Sequence, residues 1–275
     1  MPAPALRIGS VTIIPLSDGA GSVGPERFFN PPHPEGWGGY SARLDEHGNF
    51  PLNFGCFLLR EGETLTLVDT GLGAGPQRPN AGRLLDELGK AGVTPEQIER
   101  VILTHLHFDH IGWNTVERDG ARVPVFVNAR HVVQQCEWDA LPRLIEASSV
   151  VKHAMEPVAA AGLLELVDGD VALTSAISTL LAPGHTPGHQ AVLVRSGGEG
   201  ALIIGDLAHW EAQLEHTDWH PGADMDPEQA ARSRAAVFDR IEREGLTMGA
   251  GHFPYPSLGT IVRVEGRRCW QGVAW

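Results

Sequence analysis

Val101-Ile102-Leu103-Thr104-His105-Leu106-His107-Phe108-Asp109-His110 is the stretch from which the fold can be read. An apolar, strand-like run ends at Thr104. Four potential metal ligands follow at once: His105, His107, Asp109 and His110. In extended backbone, side chains two residues apart point the same way, so His105 and His107 are placed to share one ion. Asp109 and His110 come after the chain turns and are placed to serve a second ion nearby. A single buried histidine is usually a hydrogen-bonded core residue. A cluster of polar groups at a strand end is costly to bury without a metal. Three imidazoles and a carboxylate suit zinc, and also iron, manganese or cobalt.

Working outward, the same arrangement recurs. His185 follows Leu180-Leu181-Ala182-Pro183-Gly184, Asp206 follows the apolar run 201–205, and His252 follows Met248-Gly249-Ala250-Gly251. A sheet gathers such strand ends along one edge, where loops build sites on a rigid frame. Runs rich in Val, Ile, Leu and Thr predict strands at 11–15, 54–60, 64–69, 100–104, 123–127, 176–182, 191–195, 201–205, 247–250 and 260–264. Thr94-Pro95-Glu96-Gln97 and Asp226-Pro227-Glu228-Gln229 each offer an N-cap, a Pro at the first helical position and a capping-box partner. The second of these leads into an apolar stripe of Ala230, Val237, Phe238 and Ile241, which Gly245 ends. Further helices are expected at about 81–90, with Leu84, Leu85 and Leu88 inward, and near 130–141, after the strand 123–127. Runs of strands with helices interspersed imply sheets packed on each other, helices outside, in one domain spanning 1–275. Residues 19–50, where the stretch 22–40 holds two Phe, Trp37 and Tyr40 among several Gly and Pro, read as a solvated loop or as an aromatic arm over a binding site.

Bulk properties narrow the partners. The formal net charge of −13 disfavours nucleic acid and anionic membrane, since an acidic surface repels polyphosphate. No segment has the roughly 18 uninterrupted apolar residues that span a bilayer, and residues 1–16 do not read as a signal peptide. Cys56, Cys136 and Cys269 lie far apart, as reduced thiols of a cytoplasmic protein would. Neither a GxSxG elbow nor a Gly-rich P-loop accompanies the histidines.

The pattern His105-x-His107-x-Asp109-His110, with His185, Asp206 and His252 after it, resembles the metallo-β-lactamase superfamily of hydrolases. Val68-Asp69-Thr70-Gly71 before the cluster and Pro183-Gly184-His185-Thr186-Pro187-Gly188-His189 after it support the likeness, which covers nearly the whole chain. The resemblance implies an α+β fold, an αββα sandwich of two mixed sheets packed face to face, with a dinuclear site at one edge. It implies that His105, His107 and His185 hold one metal and Asp109, His110 and His252 the other. Asp206 would bridge the two, opposite a bridging hydroxide. Within the superfamily the chain resembles the branch of methyl parathion hydrolases and N-acyl homoserine lactonases. Signal-cleaving lactonases place a Tyr three residues after the bridging Asp, where this chain has His209. That departure favours the organophosphate-hydrolase side.

The expected enzyme is thus a metal-dependent hydrolase holding two divalent ions, zinc first. Its substrate would be a small, fairly apolar ester-like molecule: a lactone, aryl ester or phosphotriester. Asp109, Asp206 and His209 are the residues expected at the reaction itself, His209 through substrate contact or donation to a developing oxyanion. Asp69 reads as a carboxylate orienting a ligand or as a plain turn residue, and His189 as a structural hydrogen-bonding group. Trp113, Trp210 and Trp219 are candidates to wall an apolar pocket. Competing readings are a β-lactam or glutathione-thioester hydrolase, an iron-dependent oxidoreductase, and a nuclease or binding module. Basic residues that would hold glutathione carboxylates are not gathered anywhere in the sequence. His107 stands where di-iron flavoprotein relatives carry Glu. The residue 19–50 arm also leaves a homodimer open.

Overall fold

Alternation within single strands sets the layers. In the strand Phe50–Glu61, Phe57 and Leu59 point to one face while Cys56 and Leu58 point to the other, as the two-residue period of extended chain requires. The computed structural model describes residues 4–30, 37–75 and 80–274. Among them, β1 (Leu6–Ile8), β2 (Val11–Val23), β3 (Phe50–Glu61), β4 (Thr64–Val68) and β5 (Arg100–Ile102) open the first sheet. A separate hairpin, β6 (Thr115–Arg118) and β7 (Ala121–Pro124), follows. Then β8 (Arg130–Gln134) and β9 (Leu164–Val167) complete the first sheet in the order β1-β2-β3-β4-β5-β8-β9. The second sheet holds β10 (Ile177–Leu181), β11 (Gln190–Ser196), β12 (Glu199–Ile203), β13 (Thr247–Gly249), β14 (Leu258–Val264) and β15 (Arg267–Gly272), in chain order. Both sheets are mixed: β4, β5, β8 and β9 run parallel, as do β12 and β13, and the other neighbours are antiparallel.

Between the sheets, Ile13, Phe57, Leu59, Ile102 and Val132 meet Val192, Val194, Ile203 and Leu258. The helices are α1 (Pro25–Phe28), α2 (Leu84–Lys90), α3 (Gln135–Asp139), α4 (Leu141–Ala147), α5 (Ser149–Ala160), α6 (Ala212–Glu215) and α7 (Pro227–Glu244). Leu84 and Leu88 of α2, Leu144 of α4 and Met155 of α5 cover the outer face of the first sheet. Val237, Phe238 and Ile241 of α7 cover the outer face of the second. The result is the helix–sheet–sheet–helix order expected. Asp226 caps α7 through Gln229 N (2.9 Å), and Gly245 ends it in the left-handed region at φ 60°.

Several expectations are corrected. The segment expected as a helix near 130–141 begins as β8, beside β5 in the first sheet, and turns helical only at Gln135. Val132 and Val133 are buried on opposite faces, one between the sheets and one under the helices, so the sheet overrides the helical reading. Of the expected strand 123–127, only Val123 and Pro124 are extended, as the end of β7 in the hairpin, and 125–127 lie outside any strand. Thr94 does form its capping box, but around a three-residue 3-10 turn. Glu99 N is already bonded to Leu65 O, which draws the chain into β5. The aromatic arm is not a free loop where it is described. Phe29, Phe50, Trp210 and Trp219 form a buried cluster, with Trp37 and Tyr40 packed against it. Residues 31–36 lie outside the described residues.

Candidate metal centre

The edge formed by the ends of β4, β5, β10, β12 and β13 carries the site. Asp69 follows β4 in the left-handed region, φ 60°, and its carboxylate organises the next loop. Oδ1 accepts from Thr104 N (2.8 Å), and Oδ2 accepts from Thr104 Oγ1 (2.8 Å) and His110 Nδ1 (2.8 Å). Asp69 therefore orients a candidate ligand as well as a turn. Glu137 of α3, also buried, joins two ligand loops. It accepts from Leu106 N (2.9 Å), between His105 and His107, and from Gly188 N (2.8 Å), shortly after His185. A Cβ on Gly188 would lie 2.4 Å from Glu137 Cβ, so that approach needs glycine.

The structure brings all the expected ligands together. One group is His105, His107, His185 and Asp206, another Asp109, His110 and His252, with ligand atoms within 4.8 Å of one another in each. Asp206 lies between them. Its Oδ1 is 3.0 Å from both His110 Nε2 and His252 Nε2. Its Oδ2 is 3.2 Å from His185 Nε2 and 3.5 Å from His105 Nε2. The remote ring nitrogens are already engaged: His252 Nδ1 donates to Asn53 O (2.8 Å) and His185 Nδ1 to Asp224 Oδ1 (2.7 Å). Each such ring, when neutral, turns an Nε2 lone pair toward carboxylate oxygens. Lone pair then faces lone pair, an arrangement relieved by a proton or by a metal ion between them. His105 Nε2 and Asp206 Oδ1 are buried without a hydrogen-bond partner. His185 Nε2 and His107 Nδ1 face each other at 2.9 Å, as do His110 and His252 Nε2 at 3.3 Å. These residues fit divalent metal.

Electrostatics point the same way. Burial takes the His107 imidazole down to about 3 and the His105 imidazole well below its ordinary range. Against burial, hydrogen bonds to Asp206 and Asp224 lift His185 to about 9, and Asp206, Asp69 and Asp109 hold His110 well above the usual histidine value. Burial opposes ionisation of Asp206, yet the imidazoles around it keep its carboxyl well below the ordinary carboxylate range. Negative charge at this centre is thus matched by whatever cation the imidazoles admit.

His209 stacks on His252 (4.9 Å between centroids, 10° between planes) and places Nε2 3.0 Å from Asp206 Oδ2. Phe28, from the aromatic arm, lies edge-on to its ring at 5.0 Å. His189 is structural: it donates from Nδ1 to Ala182 O (3.1 Å) and accepts Asp206 N at Nε2 (2.9 Å), which fixes the Asp206 backbone. Trp113 packs partly buried against the core of the first sheet, and its Nε1 donates to Asp18 Oδ1 (2.8 Å). Trp210 and His209 line a cavity of about 270 Å³ together with Pro51, Phe253, Pro254 and Trp270. The sequence reading missed Asp224, Asn53, Glu137 and Arg234. Only Arg234 carried a signal, as a charge inside the apolar stripe of α7.

The thiols Cys56, Cys136 and Cys269 are free. Among the described residues, no helix is long and apolar enough to cross a membrane.

Known proteins resemble this chain in sequence and in fold. N-acyl homoserine lactonase AiiA of Bacillus thuringiensis subsp. kurstaki is 26% identical over 216 residues, covering 72% of this chain and 80% of that protein. N-acyl homoserine lactonase AttM of Rhizobium radiobacter is 26% identical over 184 residues, covering 62% of this chain and 64% of that protein. Among solved structures, the hydrolase AbOPH of the beta lactamase superfamily superposes with a TM-score of 0.84 at 26% identity, over 98% of this chain and 97% of that one. The dizinc quorum-quenching lactonase AidC, solved with the product N-hexanoyl-L-homoserine, superposes with a TM-score of 0.85 at 24% identity, over 99% and 97%. The family profile of the metallo-beta-lactamase superfamily matches residues 56–252, which begin in β3 and end on the last candidate ligand. With that match across most of its length, the chain belongs to the metallo-beta-lactamase superfamily and is a metal-dependent hydrolase.

Proposed function

We propose that this chain opens the ring ester of small lactones bearing an apolar tail, N-acyl homoserine lactones first among them, with two divalent ions and zinc as the expected metal. One observation carries the reading: a two-part set of His and Asp side chains converges on Asp206 in a chain whose matched relatives are N-acyl homoserine lactonases. His105, His107, His185 and Asp206 would hold one ion, and Asp109, His110, His252 and Asp206 the other. Two divalent ions bound there would supply hydroxide near neutral pH by lowering the pKa of water to about 7, and would polarise the carbonyl whose carbon is attacked.

The remaining work falls to the protein. Asp206, held by His189 through its backbone N–H, keeps the two halves of the centre at a fixed separation. Burial lowers the His209 imidazole to about 4, so at pH 7 it is neutral and donates from Nε2 to Asp206 Oδ2. That N–H is the proton available to an oxygen gaining negative charge beside Asp206. Asp109 is the more exposed carboxylate of the set and is suited to exchange protons with the leaving oxygen. The aromatic cluster of Phe29, Phe50, Trp210 and Trp219, with Phe28 against His209, excludes water on that side.

Aryl esters and phosphotriesters form the second reading, favoured by His209 at the position where signal-cleaving lactonases carry Tyr. Elemental analysis of the purified protein, followed by turnover of N-hexanoyl homoserine lactone, an aryl ester, a phosphotriester, a β-lactam and a glutathione thioester, tests both. Lactone opening at near two metals per chain, lost in Asp206→Ala and His107→Ala, is expected. Turnover confined to thioester or β-lactam would overturn the substrate, and full activity of metal-free protein would overturn the centre.

A further inference from the structure

Helix α7 buries one side chain that does not belong in an apolar stripe. Arg234 sits among Ala230, Val237, Phe238 and Ile241 and is fully buried. A guanidinium taken out of water is tolerated only when its N–H groups are met by acceptors. All three of its nitrogens are engaged. Nε donates to Leu207 O, Nη1 to Thr217 O (2.6 Å) and Trp219 O (3.1 Å), and Nη2 to Asp224 Oδ2 (3.3 Å). Leu207 directly follows Asp206, and the other oxygen of Asp224 accepts His185 Nδ1 at 2.7 Å. A single planar fork therefore spans from the segment of one candidate ligand to the ring of another, and also pins the segment carrying Trp219.

We propose that Arg234 is a positioning residue for the His185–Asp206 half of the metal centre, acting through the Asp224 carboxylate and the Leu207 carbonyl. This rests on the reading of His185 and Asp206 as ligands. Asp224 presents the acceptor that keeps the His185 proton on Nδ1 and leaves Nε2 free to ligate. Arg234 holds that carboxylate in place while its Nε keeps the peptide after Asp206 from rotating. Lysine has one charged nitrogen on a flexible stem and cannot meet four acceptors spread around a plane. An asparagine at 224 has to turn its NH₂ either toward the Arg234 N–H groups or toward His185 Nδ1. The first opposes donor to donor, and the second moves the ring proton to Nε2.

The test titrates metal-free wild type, Asp224→Asn, Arg234→Lys and Arg234→Met with Zn²⁺ against a chromophoric chelator. Co²⁺ titration, followed by visible absorption, reports each site separately. Wild type should take two ions. Asp224→Asn should weaken one of them by about 10–100-fold and leave the other unchanged. Arg234→Lys should weaken the same ion, and less than Arg234→Met does. Should Arg234→Met fail to fold, Arg234→Lys and Asp224→Asn decide together, since the first keeps the charge and the second keeps the side-chain volume and the carbonyl contacts of the guanidinium. Wild-type affinity at both sites in Asp224→Asn and in the foldable Arg234 variants overturns the inference while the metal centre stands. Equal weakening of both ions also overturns it. A wild type that binds no metal overturns the inference together with the centre.

Discussion

Removing the Glu137 carboxylate tests how the two ligand loops are joined. Its oxygens accept the backbone N–H groups of Leu106 (2.9 Å) and Gly188 (2.8 Å), and residue 137 is buried. Leu106 and Gly188 keep their backbone N–H groups when the Glu137 side chain is replaced, so the replacement strands buried donors. Glu137→Gln keeps one acceptor and turns an NH₂ toward the other N–H, leaving one buried donor unmet at a cost of about 1–3 kcal/mol. Glu137→Leu strands both, for about 2–6 kcal/mol by the same count. With a urea m-value of about 3 kcal/mol/M, the midpoint of metal-free protein should fall by about 0.3–1 M in the Gln variant and about 0.7–2 M in the Leu variant. Zinc affinity should fall in both, because Leu106 separates His105 from His107. Urea denaturation followed by tryptophan fluorescence gives the midpoints. A Leu variant as stable as wild type, or a Gln variant less stable than the Leu variant, would refute the reasoning.

Burial takes His131 down to about 4, so below about pH 6.5 the unfolded chain binds a proton there that the folded chain refuses. Metal-free wild type should therefore lose about 3 kcal/mol relative to His131→Leu as pH falls from about 6.5 to about 4; a stability difference flat with pH would contradict this. Gly184 has φ +130°, and a Cβ there would lie 2.1 Å from Ala230 N on α7. Gly184→Ala should cost about 2–4 kcal/mol by thermal denaturation and reduce metal uptake at the neighbouring His185; a neutral variant would show that α7 shifts freely. Trp210, nearly buried and stacked on Phe50 at 5.0 Å, should cost about 3–5 kcal/mol as Trp210→Ala, and a loss below about 1 kcal/mol would show that the aromatic cluster is not part of the core.

What the chain disclosed in advance followed from local chemistry. His105 to His110 announced themselves by clustering after an apolar run, and His185, Asp206 and His252 by ending strands of their own. The α7 boundaries were legible because Asp226 and Gly245 act within one turn of backbone. Arg130–Gln134 was misread because its helix or strand state is decided by β5 and β9 on either side, contacts that no short window contains. Asp224 and Asn53 were invisible for a related reason. Asn53 serves His252 through its carbonyl, an atom every residue has, and Asp224 lies 39 positions from His185. A carbonyl acceptor leaves no trace in side-chain type, and a distant carboxylate looks like any surface acid.

The candidate ligands are divided between the layers: His105 to His110 hang from the first sheet, and His185, Asp206 and His252 from the second. An ion pair held by both would act as a rivet through the sandwich. Severing the backbone between β9 and β10 would then leave two fragments, each with its own helical flank and half of the clasp. Their reassembly would draw on the apolar interface between the sheets and on the metal together, so that a chelator in the buffer would loosen what the peptide bond no longer joins.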